Sequence, residues 1–287
     1  MKKGDKIQSE LEDQLAMLFD PARMARCCTG EDSDADHVSQ KTRAECEPLL
    51  STGICEDHPE GEEVGRIGRL FTVPEFKKQR LRVIYWPKLW NEEILKEWIS
   101  SLTLEPPQAH LCQLKDGTWC VSYDAAQSFY QVELPLSVRK YFVFRTSDGF
   151  LLRFTRMVMG CRPAPQIMQT IFMALDDGNC LKCLIHIDNI RWIGTREAVI
   201  AAASYFMKRA GLCNFQMNVE PQNQPHQQGE FCGIVYDLAA SPPTADITSS
   251  LRDTIRDTFA DIAQASVRDF AALTSRLLWS SAILHLN

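Results

Sequence analysis

CLIHIDNIRWIG, residues 183–194, is the stretch on which the fold turns. Ile185 and Ile187 are apolar at odd positions with His186 between them. Ile190 and Trp192 are apolar at even positions with Arg191 between them. Side chains of a strand alternate between its two faces, so the change of parity across Asp188–Asn189 marks a hairpin turn. Asp and Asn both tolerate the positive φ that tight hairpin turns use. The segment predicts two antiparallel strands with Asp188 at their tip. Taken alone, such a turn serves equally well as a plain connection with no chemistry.

Upstream, WCVSYDAAQSFYQVEL (119–134) alternates Trp119, Val121 and Tyr123 before reaching Asp124, as a strand ending on a carboxylate would. A carboxylate at a strand end facing a cleft can ligate a metal. An Asp before Ala-Ala-Gln is also a fair helix N-cap, and the segment alone leaves both open. Between these stretches lies MVMGCRPAPQIMQTIFMAL (157–175). Gly160 permits close approach of the backbone to a ligand. Pro165 suits the first turn of a helix, whose buried face is supplied by Ile167, Met168, Ile171, Phe172 and Leu175. An ordinary loop leading into a helix has the same appearance.

The chain of 287 residues is 45% apolar, enough for one large domain or two small ones. No apolar run approaches membrane-spanning length, and MKKGDKIQSELEDQL lacks the core of a signal peptide. An intracellular, non-secreted protein is expected, in cytoplasm or nucleus and without a membrane partner. Eleven cysteines follow no disulfide-scaffold spacing and read as mostly free thiols. The lone C-x-x-C at Cys180 and Cys183 has no second pair to complete a zinc site, and Cys46, Cys55 and His58 are equally weak as ligands.

The net charge of −6 is unevenly placed. Residues 1–64 hold 7 Lys and Arg against 16 Asp and Glu. Residues 65–90 hold Arg66, Arg69, Lys77, Lys78, Arg80, Arg82 and Lys88 against Glu75 alone. Such a stretch could neutralise phosphates or could be a solvated basic surface. The acidic segment would then be placed to shield it. The expected organisation is an acidic, partly disordered extension over 1–64, with one amphipathic helix over 8–19 and a loop over 30–37. A segment over 65–118 comes next, with the strand GRLFTVPE and a helix over 91–102. A core of alternating strands and helices then occupies 119–240, and the closing segment 241–287 carries two helices over 247–285, separated near Ala265–Ser266.

The order of these motifs is the run found in a reverse-transcriptase palm. VSYDAAQSFYQVEL resembles that family's first catalytic motif. RKYFVFRTSDGFLLRFTRMVMGCRPAPQIMQ resembles the stretch through its second, with a Gly-x-x-x-x-Pro core at Gly160–Pro165. IHIDNI resembles the third, usually Tyr-x-Asp-Asp. EFCGIVYDL looks like the primer-grip hairpin, and LFTVPEFKKQRLRVIYWPKLWN resembles the fingers segment. The resemblance covers about residues 65–240. VRDFAALTSRLLWSSAIL is similar to the region after the palm in tyrosine-recombinase (DIRS-like) retroelements.

The resemblance implies an α+β polymerase fold. It has a palm with a central antiparallel sheet and helices on one face, fingers over 65–118, and a short or truncated thumb over 241–287. It implies RNA-directed DNA polymerase activity on an RNA template with a DNA or RNA primer and deoxynucleoside triphosphates. Two Mg²⁺ ions, or Mn²⁺, would be held by Asp124 and Asp188 with the Ala125 carbonyl. Arg82, assisted by Lys77 or Lys78, would hold the triphosphate. Phe129 would exclude a ribose 2′-hydroxyl, Gly160 and Arg162 would shape the nucleotide pocket, and Cys232 and Gly233 would form the primer grip. A separate chain carrying RNase H or a recombinase is among the partners the resemblance suggests. Three departures weaken the implied activity. Asn189 replaces the second Asp of the third motif, where His186 also replaces Tyr. No Lys or Arg occurs over 211–250, where the family often has a lysine after the helix 196–209. That helix is expected to end at Gly211 as C-cap. No RNase H set of acids is visible. A catalytically degenerate nucleic-acid-binding protein of the same fold is therefore the alternative. An unrelated α+β interaction protein, lacking a sheet that brings Asp124 beside Asp188, is the third.

Overall fold

The computed structural model describes residues 3–27, 39–75, 79–93, 104–179, 181–260 and 266–284. Lys77, Lys78, Cys180, most of 91–102 and all of 30–37 lie outside the described residues. In chain order the elements are helices α1 (Lys3–Phe19), α2 (Pro21–Cys27) and α3 (Glu47–Ser51), strands β1 (Cys55–Asp57), β2 (Ile67–Glu75) and β3 (Arg80–Trp86), and helices α4 (Lys88–Glu93) and α5 (Pro107–Gln113). Next come β4 (Trp119–Asp124), α6 (Leu136–Arg139), β5 (Val143–Arg145), β6 (Leu151–Phe154), α7 (Ala164–Leu175), β7 (Cys183–His186) and β8 (Asn189–Gly194). The chain continues through α8 (Arg196–Leu212), β9 (Gln228–Phe231), β10 (Ile234–Asp237), β11 (Thr244–Ile247), α9 (Ser249–Ala260) and α10 (Val267–Leu284). The fold is α+β, as the sequence implies. No helix among the described residues is long and apolar enough to cross a membrane.

The chain forms two compact units, one of residues 1–102 with 127–174 and one of 103–126 with 175–287. The first is built on a mixed sheet in the order β1-β6-β5-β2-β3. Its core is aromatic: Tyr85 packs edge-on against Phe154, and Phe144 lies beside the same ring. The basic stretch becomes a hairpin, β2–β3, with Val73 opposite Arg82. It is not one solvated patch: Arg66 is buried, whereas Arg82 and Lys88 are exposed. The acids of the N-terminal segment also have partners other than that stretch. Glu56 accepts from Arg153 at 2.7 Å and from Arg139 at 3.3 Å, and Glu62 accepts from Arg153 at 2.8 Å. Lys140 donates to Glu63 at 2.7 Å. Arg153 is buried, so its pairing with Glu56 and Glu62 meets a desolvation cost that a lone guanidinium would not survive. The Glu56–Arg153 pair fastens β1 to β6 at the edge of the sheet.

The second unit carries the antiparallel sheet β4-β8-β7. One face, with Tyr123, Trp192 and Ile190, packs on α8: Phe206 stacks with Tyr123 and meets Trp192 edge-on. The other face, with Cys120, Leu184 and Ile193, packs on Phe231, Tyr236 and Leu238 of the β9–β10 hairpin. Helix α8 covers the first face, and a second sheet, β11-β10-β9, adjoins the other together with α5. α8 begins at Thr195, whose side chain accepts from the Ala198 N–H, and runs through Gly211 to Leu212. The left-handed residue that ends it is Asn214 (φ 54°), and Phe215 N–H closes the turn onto the Ala210 carbonyl at 2.8 Å. The expected Gly211 cap is thus displaced by Asn214, because Asn adopts the left-handed conformation at modest cost. α10 begins where expected, with Ser266 and Asp269 exchanging hydrogen bonds as a capping pair.

His110 of α5 is buried between the rings of Phe231 and Trp279. Burial, reinforced by the charge of Arg191, lowers its pKa to about 4. The unfolded chain gains this proton near 6.5 and the folded chain only near 4, so the neutral His110 supports the fold above pH 6.5 and that support fades on acidification. Between pH 7 and pH 4 the unit should lose on the order of 3 kcal/mol from this group alone. Denaturant unfolding of wild type and His110→Leu at the two pH values checks it. Wild type should lose that much more on acidification than the variant, and an equal acid loss in both would refute the assignment.

Candidate active site

The third motif forms the β7–β8 hairpin, with His186 paired to Asn189. The two-residue turn is Ile187–Asp188, one position earlier than the parity change suggests. Its left-handed residue is Ile187, at φ 61°. The shift arises because Asn189 is claimed by the sheet: it pairs with Asp124 of β4, and the Ala125 N–H donates to the Asp188 carbonyl at 3.1 Å. A β-branched residue at positive φ is costly, and such strain tends to be retained where it aims a neighbour. Here the neighbour is Asp188.

Asp124 ends β4 and leads into a turn and a short 3₁₀ segment at Ser128–Gln131 whose N-cap is Gln127. Asp124 therefore caps no helix. On its open side the strand end is met by residues 216–218. Ala126 N–H donates to the Gln216 carbonyl at 3.1 Å, and Asn218 N–H donates to the Asp124 carbonyl at 2.8 Å. His186, Asn189, Asp124 and Asn218 consequently form one row across the sheet end, with Asp188 at the adjoining tip. Within the row, Asn218 Nδ2 donates to Asp124 Oδ2 at 2.8 Å, and Asn189 Nδ2 donates to Asp188 Oδ1 at 3.0 Å. Both carboxylates are half-buried.

The β9–β10 hairpin turns at Cys232 (φ 51°) and Gly233 (φ 80°), two successive left-handed residues as in a type I′ turn. Cys232 is half-buried, and its thiol is pushed up to about 12, chiefly by burial. Arg191 opposes this, and the charges of Asp188, Asp124 and Glu230 add to it. A cavity of about 290 Å³ lies beside it, lined by Ser122, Tyr123, Asn189, Gln222, Glu230, Phe231 and Cys232. Beneath it Arg191 is fully buried. Its Nε donates to Gln113 at 3.0 Å, and its guanidinium lies 4.7 Å from the Phe231 ring and 5.2 Å from that of Tyr236. Arg191 thus ties α5 and the hairpin to β8. Burial lowers the pKa of His186, opposed by the nearby Asp188.

The other residues named from the sequence lie in the first unit. Arg82 donates to Glu75 across the β2–β3 hairpin at 2.8 Å. Both are partly exposed, so this pair is weak. Gly160 sits at φ 104°, and a Cβ there would lie 2.0 Å from the Tyr85 carbonyl oxygen. The close approach it permits here is to the chain's own backbone in β3. Asn91 of α4 donates to the Gly160 carbonyl and accepts from the Arg162 N–H at 2.9 Å, which fixes that loop. Phe129 is half-buried in the 3₁₀ segment. Sequence patterns do not mark Asn218, Arg191 or Gln113 as functional. Asn218 lies in the polar run NFQMNVEPQNQ, where nothing local distinguishes it.

Asp124, Asp188 and the Ala125 carbonyl belong to one sheet end, and carboxylate and carbonyl oxygens are hard donors of the kind that Mg²⁺ and Mn²⁺ take, so the residue types there fit such an ion. Among the described residues no group of three or more His, Cys, Asp and Glu side chains is gathered for a metal, in keeping with Asn189 in place of a third carboxylate.

No protein-family model matches the sequence, and no curated protein does. Solved structures do match. A foamy viral protease–reverse transcriptase dRH in complex with double-stranded DNA superposes with a TM-score of 0.64 at 12% identity, covering 96% of this chain and 49% of that one. A foamy viral protease–reverse transcriptase with double-stranded DNA gives the same score and identity over 98% and 59%. One with an RNA/DNA hybrid gives 0.58 at 12% identity over 96% and 38%. The chain spans about half the length of the first of these proteins. At such identity the likeness is one of architecture: this chain has a reverse-transcriptase-like fold.

Proposed function

We propose that the chain is the polymerase portion of an RNA-directed DNA polymerase, extending a DNA or RNA primer along an RNA template with deoxynucleoside triphosphates. The observation that carries this is the convergence of Asp124 and Asp188 at one sheet end, tied by the Ala125–Asp188 hydrogen bond. Phosphoryl transfer asks little covalent chemistry of a protein and much positioning and charge neutralisation. Bound Mg²⁺ or Mn²⁺ would activate the primer 3′-hydroxyl and neutralise the leaving pyrophosphate. Asp124, Asp188 and the Ala125 carbonyl would hold these ions. The Cys232–Gly233 turn would seat the primer terminus. Arg82, assisted by Lys77 or Lys78, would exchange its weak pairing with Glu75 for the triphosphate, and Phe129 would select against the ribose 2′-hydroxyl. Gly160 would contribute by keeping the loop that carries Arg162 closed onto β3. The foamy viral proteins' duplexes support nucleic acid as the partner class. Membership of a DIRS-like element rests on the α10 sequence alone. Primer extension on an RNA template tests the proposal: extension dependent on Mg²⁺ or Mn²⁺ and on Asp124 is expected, and none with either metal would end it.

One observation favours a second reading, a catalytically degenerate nucleic-acid binder. Asn189 brings an amide, not a carboxylate, and that amide occupies an oxygen of Asp188. The polymerase reading predicts that Asn189→Asp lowers the Mg²⁺ concentration giving half-maximal extension by about tenfold, the worth of one added ligand at roughly 1.4 kcal/mol. Extension absent in both wild type and Asn189→Asp, with salt-dependent binding of RNA/DNA hybrid retained and weakened by Arg82→Ala, would establish the second reading instead.

A further inference from the structure

The chain's path after α8 delivers one residue to Asp124. Asn214 in the left-handed conformation reverses the chain, and residues 216–218 then run antiparallel beside the β4 end, with Met217 bridged to Ala125. Asn218 there makes three contacts with the proposed ligand strand. Its N–H donates to the Asp124 carbonyl at 2.8 Å, and its side-chain amide donates to Asp124 Oδ2 at 2.8 Å and to the Ala125 carbonyl at 3.4 Å. We propose that Asn218 is the positioning residue of this site, holding the Asp124 carboxylate in one rotamer and the Ala125 carbonyl in one orientation for a divalent ion, a role that rests on the polymerase reading.

The chemistry of the amide suits the task. A carboxylate ending a strand can rotate about its side-chain bonds, and one fixed hydrogen bond on Oδ2 removes most of that freedom before an ion arrives. An amide does so while leaving the negative charge intact, whereas a lysine or arginine would compete with the cation for the same oxygens. The stretch over 211–250 contains neither lysine nor arginine. The longer contact to the Ala125 carbonyl still leaves that oxygen a second lone pair for coordination.

The test follows Mn²⁺ binding directly, by the paramagnetic resonance signal of free Mn²⁺, in the full chain without nucleic acid. Asn218→Ala should raise the Mn²⁺ dissociation constant about tenfold, the usual scale for removing an outer partner of a ligand. Its melting temperature should stay within about 3 °C of wild type, since a half-buried polar side chain contributes little to stability. Asn218→Leu, which keeps the volume but not the donor, should lose as much, and Asn218→Gln, which keeps the donor on a longer stem, should recover part. In primer extension the half-saturating metal concentration should rise while the rate at saturating metal stays within a few-fold, a split that general loosening of the fold would not produce. Wild-type Mn²⁺ affinity in both Asn218→Ala and Asn218→Leu, with the site lost in Asp124→Ala, would overturn the role of Asn218 and leave the polymerase reading standing. Equal Mn²⁺ binding by wild type and Asp124→Ala would remove that reading, and the role of Asn218 with it.

Discussion

Asp124→Ala is expected to lower template-directed primer extension by at least about a thousandfold while leaving the protein folded. A thousandfold loss corresponds to roughly 4 kcal/mol of transition-state stabilisation, the scale on which electrostatic groups at a phosphoryl-transfer site act. The fold should tolerate the change for a structural reason. Asp124 is half-buried at the last position of β4, and its carboxylate accepts from Asn218, another half-buried polar residue. The strand's packing contacts are made by Tyr123 on one face and Cys120 on the other. The melting temperature should therefore stay within a few degrees of wild type. Single-nucleotide incorporation on an RNA template, measured beside a thermal melt, checks both halves. Retained extension would place the chemistry elsewhere, and an unfolded variant would make Asp124 a structural residue.

The second large effect is on stability. Gly160→Ala should destabilise the first unit by about 3–5 kcal/mol. Two costs combine. Gly160 lies at φ 104°, where an L side chain is strained, and its Cβ would meet the Tyr85 carbonyl oxygen at 2.0 Å. That oxygen belongs to β3 and cannot withdraw cheaply, because the Tyr85 N–H is bonded to the Met159 carbonyl and the Tyr85 ring is buried in the aromatic core. Gly149→Ala is the control. Gly149 has a comparable φ of 93°, but nothing lies within 4 Å of its would-be Cβ, so only the backbone term of about 1–2 kcal/mol remains. Denaturant unfolding of the two variants separates the contact from the conformation. Equal losses would show that the approach of Gly160 to β3 carries no energy of its own.

Legibility in the sequence tracks how local each signal is. The β7–β8 hairpin, the β4 strand ending on Asp124 and the break before α10 can be read because alternation, a parity change and a capping pair are written in a few adjacent residues. The parity change misplaces the turn by one residue because its position is set by the pairing of Asn189 with Asp124, 65 positions away along the chain. Ile187 at positive φ runs against its own propensity and could not be chosen by it. Arg191 reads as an outward residue between Ile190 and Trp192. Alternation implies one wet face, but β8 is covered by α8 on one side and by the Phe231 and Tyr236 rings on the other. Arg66 in the basic run is buried for a like reason: a formal charge count cannot tell a solvated cation from one folded inward. Asn218 is invisible in the sequence because its role exists only after Asn214 turns the chain back toward β4.

The polymerase proposal requires the Asp124 and Asp188 carboxylates to share divalent cations, and diffraction at the manganese absorption edge tests that requirement most directly. Crystals of the full chain grown with Mn²⁺ should show an anomalous peak at coordination distance from both carboxylates and from the Ala125 carbonyl. Manganese bound elsewhere, or nowhere, with the two carboxylates uncoordinated at saturating metal, would contradict the assignment.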